Sequence, residues 1–151
     1  MKIDITTGDE ITPGAIRYLY KTILDNDEIG VMAYNLETII AEKYETIIRR
    51  NIGTSRARDF YDLYMFYNLY KDSIDVETLK LAVVRTAKKR DSLEIMSEWE
   101  EIIEDMKDDL MLKELWNNFC ENNTYASGVS FEKIIEITLH IAELLGFSCK
   151  A

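Results

Sequence analysis

The sequence predicts an α+β fold in which a small N-terminal antiparallel sheet of about three strands precedes a bundle of five or six helices. Strand-like alternation occurs in the first 34 residues, whereas apolar residues from residue 35 onward recur at the 3- and 4-residue spacings of helices. Only one proline and six glycines occur in 151 residues, which favours long helices. No linker separates two domains, so we expect residues 1–34 and 35–151 to form one compact unit.

The predicted strands are short. They cover residues 2–6, 17–24 and 28–33. In the first strand Ile3 and Ile5 face one way and Asp4 faces the other, whereas the run Tyr18-Leu19-Tyr20 in the second is apolar on both faces. The polar Asp25-Asn26-Asp27 is expected to form the turn between the last two strands. Three short strands do not make a robust sheet alone, so we expect one edge to be exposed, paired with another chain or covered by helices.

Capping residues and breaks divide the remaining chain into helices. The predicted N-caps are Asn35, Ser55, Ser73 or Asp75, Ser92 and Ser130. Gly53 is expected to end the first helix, and a further helix is expected over residues 107–122.

A lysine interrupts the apolar stripe of the first predicted helix. The stripe consists of Leu36, Ile39, Ile40 and Ile47. At 100° per residue Lys43 points into its middle, and a buried unpaired ammonium costs several kcal/mol. Lys43 therefore needs a nearby anion or ligand, unless only its stem packs on apolar surface and its ammonium reaches water.

The next predicted helix offers two anions for this lysine. Its apolar face comprises Phe60, Leu63, Phe66, Tyr67 and Tyr70. Asp59 falls inside that arc and Asp62 on its edge, whereas Tyr61 falls outside it and is a candidate for a surface contact. Consecutive helices are thus predicted to bring one cation and two carboxylates together.

The charge of the chain is unevenly distributed. The formal net charge is −10, and residues 91–121 hold 11 acidic against 2 basic residues, whereas residues 1–90 are neutral. This balance argues against nonspecific nucleic-acid binding by the whole surface. A local basic cluster nevertheless occurs in residues 43–58, and it consists of Lys43, Arg49, Arg50, Arg56 and Arg58 with Glu45 as its single acid.

We expect a cytoplasmic chain, because the N-terminus lacks the charged-then-apolar layout of a signal peptide. Cys120 and Cys149 are isolated in sequence, and we expect both to be free thiols. No apolar run reaches about 18 residues, so no membrane span is predicted.

Three stretches of the chain carry a family resemblance. They are Lys2-Ile3-Asp4-Ile5-Thr6-Thr7-Gly8-Asp9 with Ile11-Thr12-Pro13, Ala33–Thr38 with Ala41-Glu42-Lys43-Tyr44-Glu45-Thr46, and Arg56-Ala57-Arg58-Asp59-Phe60-Tyr61-Asp62. These stretches resemble the AbiEii/AbiGii-type nucleotidyltransferases, the toxins of bacterial abortive-infection and toxin–antitoxin systems. The polymerase-β-like signature of that family is a Gly-Ser or Gly-Gly turn followed by an Asp-x-Asp strand, and these 151 residues lack it. Asp25-Asn26-Asp27 has the spacing but lies in a predicted turn. The chain is therefore expected to be the C-terminal part of such an enzyme, with a partial nucleotidyltransferase fold.

The resemblance implies roles for particular residues. The complete enzyme would transfer nucleotides from an NTP to an acceptor such as tRNA, with Mg²⁺. Lys43 would contact the nucleotide phosphates. Asp59 would orient Lys43 or take part in the active site, and Asp62 would support one or both of these residues. Asp4 would be a third metal-binding acid; the alternative is a solvent-facing aspartate on an edge strand.

The two arginines beside these aspartates have two interpretations. Arg56 and Arg58 either bind phosphate or RNA, or form ion pairs with Asp59 and Asp62 at helical spacing. Asp59 also lies in the first turn of its helix, where a carboxylate is favourable without any catalytic role.

The expected partners follow from the same resemblance. They are an N-terminal catalytic half, a cognate antitoxin, a second copy paired through the N-terminal strand, and an RNA acceptor. We expect no tight binding of Mg²⁺ or NTP to this chain alone, and weak or no activity. The alternative function is a non-enzymatic helical protein-interaction module derived from such a toxin, acting through the acidic residues 91–121.

Overall fold

The computed structural model of the chain describes residues 8–23 and 27–147 and confirms the α+β fold class. These residues form two antiparallel strands followed by seven α-helices. The elements are β1 (Ile16–Lys21), β2 (Glu28–Ala33), α1 (Leu36–Arg50), α2 (Ala57–Tyr70), α3 (Val76–Lys89), α4 (Leu93–Met96), α5 (Trp99–Asp108), α6 (Leu110–Asn122) and α7 (Phe131–Leu145). The predicted strand at residues 2–6 lies outside the described residues.

The helix predicted to start at Ser92 is divided into α4 and α5, which accounts for a helix count above the predicted five or six. At the division the backbone N–H groups of Ser97 and Glu98 bond three residues back, to Glu94 and Ile95, at 3.0 Å each. The Ser97 hydroxyl also donates to the Glu94 carbonyl at 2.6 Å. These bonds tighten the last turn of α4 and end its α-helical hydrogen bonding.

Several predicted helix ends are confirmed, and others are displaced. The Asp75 carboxylate accepts from the Thr78 N–H at 2.7 Å, and the Ser130 hydroxyl accepts from the Lys133 N–H at 3.2 Å, as N-caps do. Asn35 occupies the N-cap position of α1 without a capping hydrogen bond.

Three predicted boundaries are displaced by one to three residues. Helix α1 ends at Arg50 because Asn51, at φ 49°, takes the positive backbone angle expected of Gly53. Helix α2 starts after Arg56 rather than after Ser55. Helix α6 starts at Leu110 because Asp109 accepts from its third N–H, that of Leu112, at 2.6 Å.

The two strands form a hairpin with one apolar face. The register pairs Ile16 with Ala33, Tyr18 with Val31 and Tyr20 with Ile29, and strand alternation puts these six side chains on one side. Tyr18 is 55% exposed and Ile29 is 52% exposed. The closest packing of the hairpin is between its own strands, so its apolar face is not covered by the described helices.

Helix α1 lies at the centre of the helical region and packs against α2, α3, α4 and α5. Its core side chains, Ile40, Tyr44, Ile47 and Ile48, are almost completely buried. Helix α7 packs against α2 and α5. Burial of α1 on several sides fixes the direction of the remaining side chains on this helix, including Lys43. In the described part of the chain no helix has the length and apolar character needed to cross a bilayer.

Candidate functional site

The site is built around one ammonium group between α1 and α2. Lys43 Nζ lies 2.7 Å from Asp59 Oδ1 and 2.9 Å from Asp62 Oδ2. The side chain of Asp59 is only 2% exposed, whereas those of Lys43 and Asp62 are 24% and 22% exposed. The structure therefore brings together the three residues that the helical pattern had placed on facing surfaces, at the edge of the core.

The electrostatics of Lys43 combine two opposing effects. Burial lowers the pKa of the ammonium, but the hydrogen bonds and charges of Asp59 and Asp62 oppose it, and the net result is a raised pKa. Lys43 is therefore charged at physiological pH. The two carboxylates fix the position of this ammonium, and its side chain remains 24% exposed at the edge of the core.

Two arginines extend the positive charge along the start of α2. Arg56 Nε lies 2.6 Å from Asp59 Oδ2 as a close ion pair without hydrogen-bond alignment, and Arg56 Nη2 donates to Asp59 Oδ1 at 3.4 Å. Arg58 Nε lies 3.8 Å from Asp62 Oδ1. Both predicted ion pairs are thus present. Arg56 is 52% exposed and Arg58 is 75% exposed, so their guanidinium groups remain accessible to a ligand.

An open cavity of about 510 Å³ adjoins these residues, between the start of α2 and the C-terminal half of α6. Its lining residues are Lys43, Ser55, Arg56, Ala57, Arg58, Asp59, Leu115, Asn118, Phe119, Asn122 and Asn123. Three cations and one carboxylate line it, so the cavity is locally positive in a chain of net negative charge. Its volume lies within the range of small-molecule sites.

Sequence reasoning missed the α6 wall of this cavity. Residues 118 and 122 are one helical turn apart and carry the same amide side chain, which is the signal that an exposed polar face exists there. The sequence of α6 alone does not indicate that this face lies opposite Arg56, because Arg56 and this face are more than 60 residues apart in the chain. Tyr61, a predicted surface candidate, instead packs beside this wall and donates to the Tyr125 carbonyl at 3.2 Å.

A buried carboxylate, which sequence reasoning also missed, fixes the C-terminal half of α1. Glu45 is fully buried, and it lies 2.7 Å from Arg49 Nε and 2.5 Å from Arg90 Nη1. The Ser92 hydroxyl donates to it at 2.8 Å. This network ties α1 to the end of α3, two residues from Lys43, so it stabilises the backbone that carries the ammonium.

The described residues hold no cluster of metal-binding side chains. Mg²⁺ takes oxygen ligands in octahedral geometry, whereas no group of three or more His, Cys, Asp or Glu suited to a metal occurs in residues 8–23 and 27–147. Asp59 and Asp62 are already committed to cations. Asp4 lies outside the described residues, as does Cys149; Cys120 is a free thiol whose pKa is raised by burial.

The fold and the site define a helical unit with a fixed cation at the edge of an open cavity lined mainly by basic and uncharged side chains. A family model described as "Nucleotidyl transferase AbiEii toxin, Type IV TA system" matches residues 1–136. The chain therefore belongs to the AbiEii nucleotidyltransferase toxin family, and the resemblance is confirmed. No curated protein and no solved structure matches the chain.

Proposed function

We propose that this chain is the C-terminal part of a cytoplasmic nucleotidyltransferase that transfers nucleotides from an NTP to an acceptor such as tRNA, in phage defence. The observation that carries the proposal is the ammonium of Lys43, held within 3 Å of two carboxylates at the edge of a positive cavity. A lysine serving only the core would need a single counter-ion and no adjoining cavity.

The chemistry assigned to these side chains is binding and orientation. Phosphate oxygens compete with Asp62, the more exposed partner, for the ammonium of Lys43, whereas the buried Asp59 keeps the lysine in place. Arg56 and Arg58 contribute further donors to phosphates of the nucleotide or of the RNA. Positioning and neutralising a triphosphate are the main tasks of a protein in nucleotidyl transfer.

When bound, Mg²⁺ would supply positive charge that stabilises the transferred phosphoryl group. Because the described residues hold no cluster of metal-binding side chains, no metal-dependent step is assigned to them. Asp4 remains our candidate for one metal ligand, and the other acids would come from the Asp-x-Asp strand of the family signature, which these 151 residues lack. The chain alone is accordingly proposed to be inactive and to bind Mg²⁺ and NTP weakly.

The hairpin of β1 and β2 is the surface through which we propose that the chain joins the rest of the enzyme. Its apolar face is formed by alternate residues of β1 and β2 and is open. We propose that this face and the strand edge join a catalytic sheet supplied by another polypeptide segment. Family membership indicates a cognate antitoxin as a further partner.

A transfer assay tests the proposal. The chain is produced alone and together with the segment encoded upstream, and each preparation is incubated with Mg²⁺, labelled NTP and total tRNA. We expect label transfer only by the combined preparation, with loss of at least 100-fold in Lys43→Ala. Label transfer by residues 1–151 alone would contradict the proposal that another polypeptide segment supplies the remaining metal-binding acids. A combined preparation that binds but never transfers label favours a protein-interaction module.

A further inference from the structure

The cavity beside Lys43 has two walls of different chemistry. The wall from α1 and α2 is cationic, through Lys43, Arg56 and Arg58. The opposite wall is formed by the last turns of α6 and carries an aromatic ring and amide side chains but no charge. It consists of Leu115, Asn118, Phe119, Asn122 and Asn123.

The aromatic ring of this second wall is fixed in place. Phe119 is stacked with Trp116 at 5.5 Å between ring centroids, and the rings of Tyr61 and Tyr125 lie 6.1 and 6.3 Å away. Phe119 is half-buried and still lines the cavity. A ring held by three others offers a flat surface for stacking with little loss of side-chain entropy.

The amides lie next to this ring. Asn118 and Asn122 are exposed, are one helical turn apart and line the cavity on either side of Phe119 along the helix. A side-chain amide is both donor and acceptor, so it matches the hydrogen-bonding edge of a nucleobase. Asn122 Nδ2 donates to the Asn118 carbonyl at 2.7 Å, which leaves the second N–H and the oxygen of that amide for a base. The neighbouring Asn117 lines a different cavity, which it shares with Trp116 and Cys120.

We propose that this cavity binds one nucleotide in a defined orientation. Its phosphates lie on the cationic wall, its base stacks on Phe119, and Asn118 and Asn122 hydrogen-bond the base edge and determine specificity. The cavity of about 510 Å³ is of the size that such a ligand requires. The proposal rests on the proposed function for its phosphate contacts and adds the α6 wall as the base-recognition subsite. The nucleotide is either the donor NTP or the terminal nucleotide of an RNA.

An NMR titration of the ¹⁵N-labelled full chain tests the base subsite. The probes are ATP and GTP without metal, inorganic triphosphate, and a short single-stranded RNA. We expect the nucleoside triphosphates to shift the side-chain amide signals of Asn118 and Asn122 as well as the Arg56 and Arg58 signals. Inorganic triphosphate should shift only the arginine signals. If the RNA shifts the Asn118 and Asn122 amide signals at lower concentration than the mononucleotides do, the bound nucleotide is the terminal nucleotide of an RNA. If the mononucleotides act at lower concentration, it is the donor NTP.

Variants separate recognition from folding. The double variant Asn118→Ala/Asn122→Ala should weaken nucleotide binding about fivefold or more and leave inorganic triphosphate binding unchanged, whereas Asn117→Ala should stay within about twofold of the parent chain. Phe119→Leu should weaken nucleotide binding by about fivefold to fiftyfold, and its melting curve shows whether the fold is retained. The exposed asparagine variants test the proposal even where Phe119→Leu unfolds.

Each outcome has a distinct meaning. Static Asn118 and Asn122 signals with shifted Arg56 and Arg58 signals would overturn the base subsite and leave the phosphate site standing. Shifts on α6 without any response to inorganic triphosphate would support the base subsite and count against the phosphate contacts of the proposed function. An equal effect of Asn117→Ala, or no binding of any probe at millimolar concentration, would overturn the base subsite.

Discussion

Replacement of Lys43 by methionine should destabilise the folded chain, because it leaves a buried carboxylate with half of its neutralising charge. Asp59 is 2% exposed and loses a partner at 2.7 Å, whereas its contact with Arg56 at 2.6 Å remains. Breaking a fully buried pair costs about 3–5 kcal/mol, and an exposed pair contributes about 0–1 kcal/mol. Lys43 is 24% exposed and lies between these limits, so we expect a loss of about 2 kcal/mol.

Thermal and urea unfolding measure this loss. For a chain of this size about 2 kcal/mol corresponds to a fall in Tm of roughly 4–8 °C. Lys107→Met is the matched control, because Lys107 lies 2.6 Å from Glu104 but is 41% exposed, and its replacement should lower Tm by less than about 2 °C. A double-mutant cycle with Asp59→Asn should give a coupling free energy of about 1–2 kcal/mol. If Lys43→Met unfolds at the temperature of Lys107→Met, or the cycle shows no coupling, the lysine is not held as described.

Three further predictions concern residues away from the cavity. Glu45→Ala should cost about 2–4 kcal/mol, because it leaves Arg49 and Arg90 without their fully buried partner; urea unfolding checks this, and a loss below about 1 kcal/mol contradicts it. Burial raises the pKa of Glu42 above its ordinary 4.5, so the folded state binds this proton more tightly than the unfolded state. Glu42→Gln should therefore raise Tm at pH 7, and melting curves at lower pH should show the gain disappearing below about pH 4.5; a gain that persists there contradicts the assignment. Light scattering should show concentration-dependent association of the isolated chain through the hairpin, reduced by Tyr18→Lys, and a monomer at all concentrations would refute this.

The sequence predicted the central ion pairs because two strong regularities act together. Helical periodicity gives the direction of a side chain to within one face, and a charge on an apolar face requires an opposite charge nearby. Lys43 and Asp59 meet both conditions, so their contact is predictable without any knowledge of how α1 and α2 cross. The caps at Asp75 and Ser130 are predictable for a similar reason, since they depend on bonds within three residues.

The features that the sequence did not predict depend on long-range packing or on competing local bonds. Phe119 and Asn118 face the start of α2 only because α6 packs beside it, and helical spacing on α6 alone does not identify that neighbour. The break between α4 and α5 depends on Ser97 bonding the preceding turn, an alternative to the helical pattern that the apolar periodicity conceals.

The hairpin illustrates an intermediate case. Tyr18-Leu19-Tyr20 is apolar on both faces, which weakened the alternation along the strand. The register with β2 nevertheless gives one fully apolar face and one mixed face, because the Leu19 side also carries Arg17, Lys21 and Glu28. Pairing information, rather than the alternation of one strand, was needed to distinguish the two faces.

The ammonium of Lys43 itself provides the most direct test, through a ¹H–¹⁵N spectrum of the lysine side chains. We predict one protected ammonium signal that is absent in Lys43→Arg, is altered in Asp59→Asn, shifts on addition of inorganic triphosphate, and titrates above the ordinary 10.5. A Lys43 ammonium that exchanges with water as rapidly as the exposed lysines and ignores both Asp59→Asn and inorganic triphosphate would contradict the account.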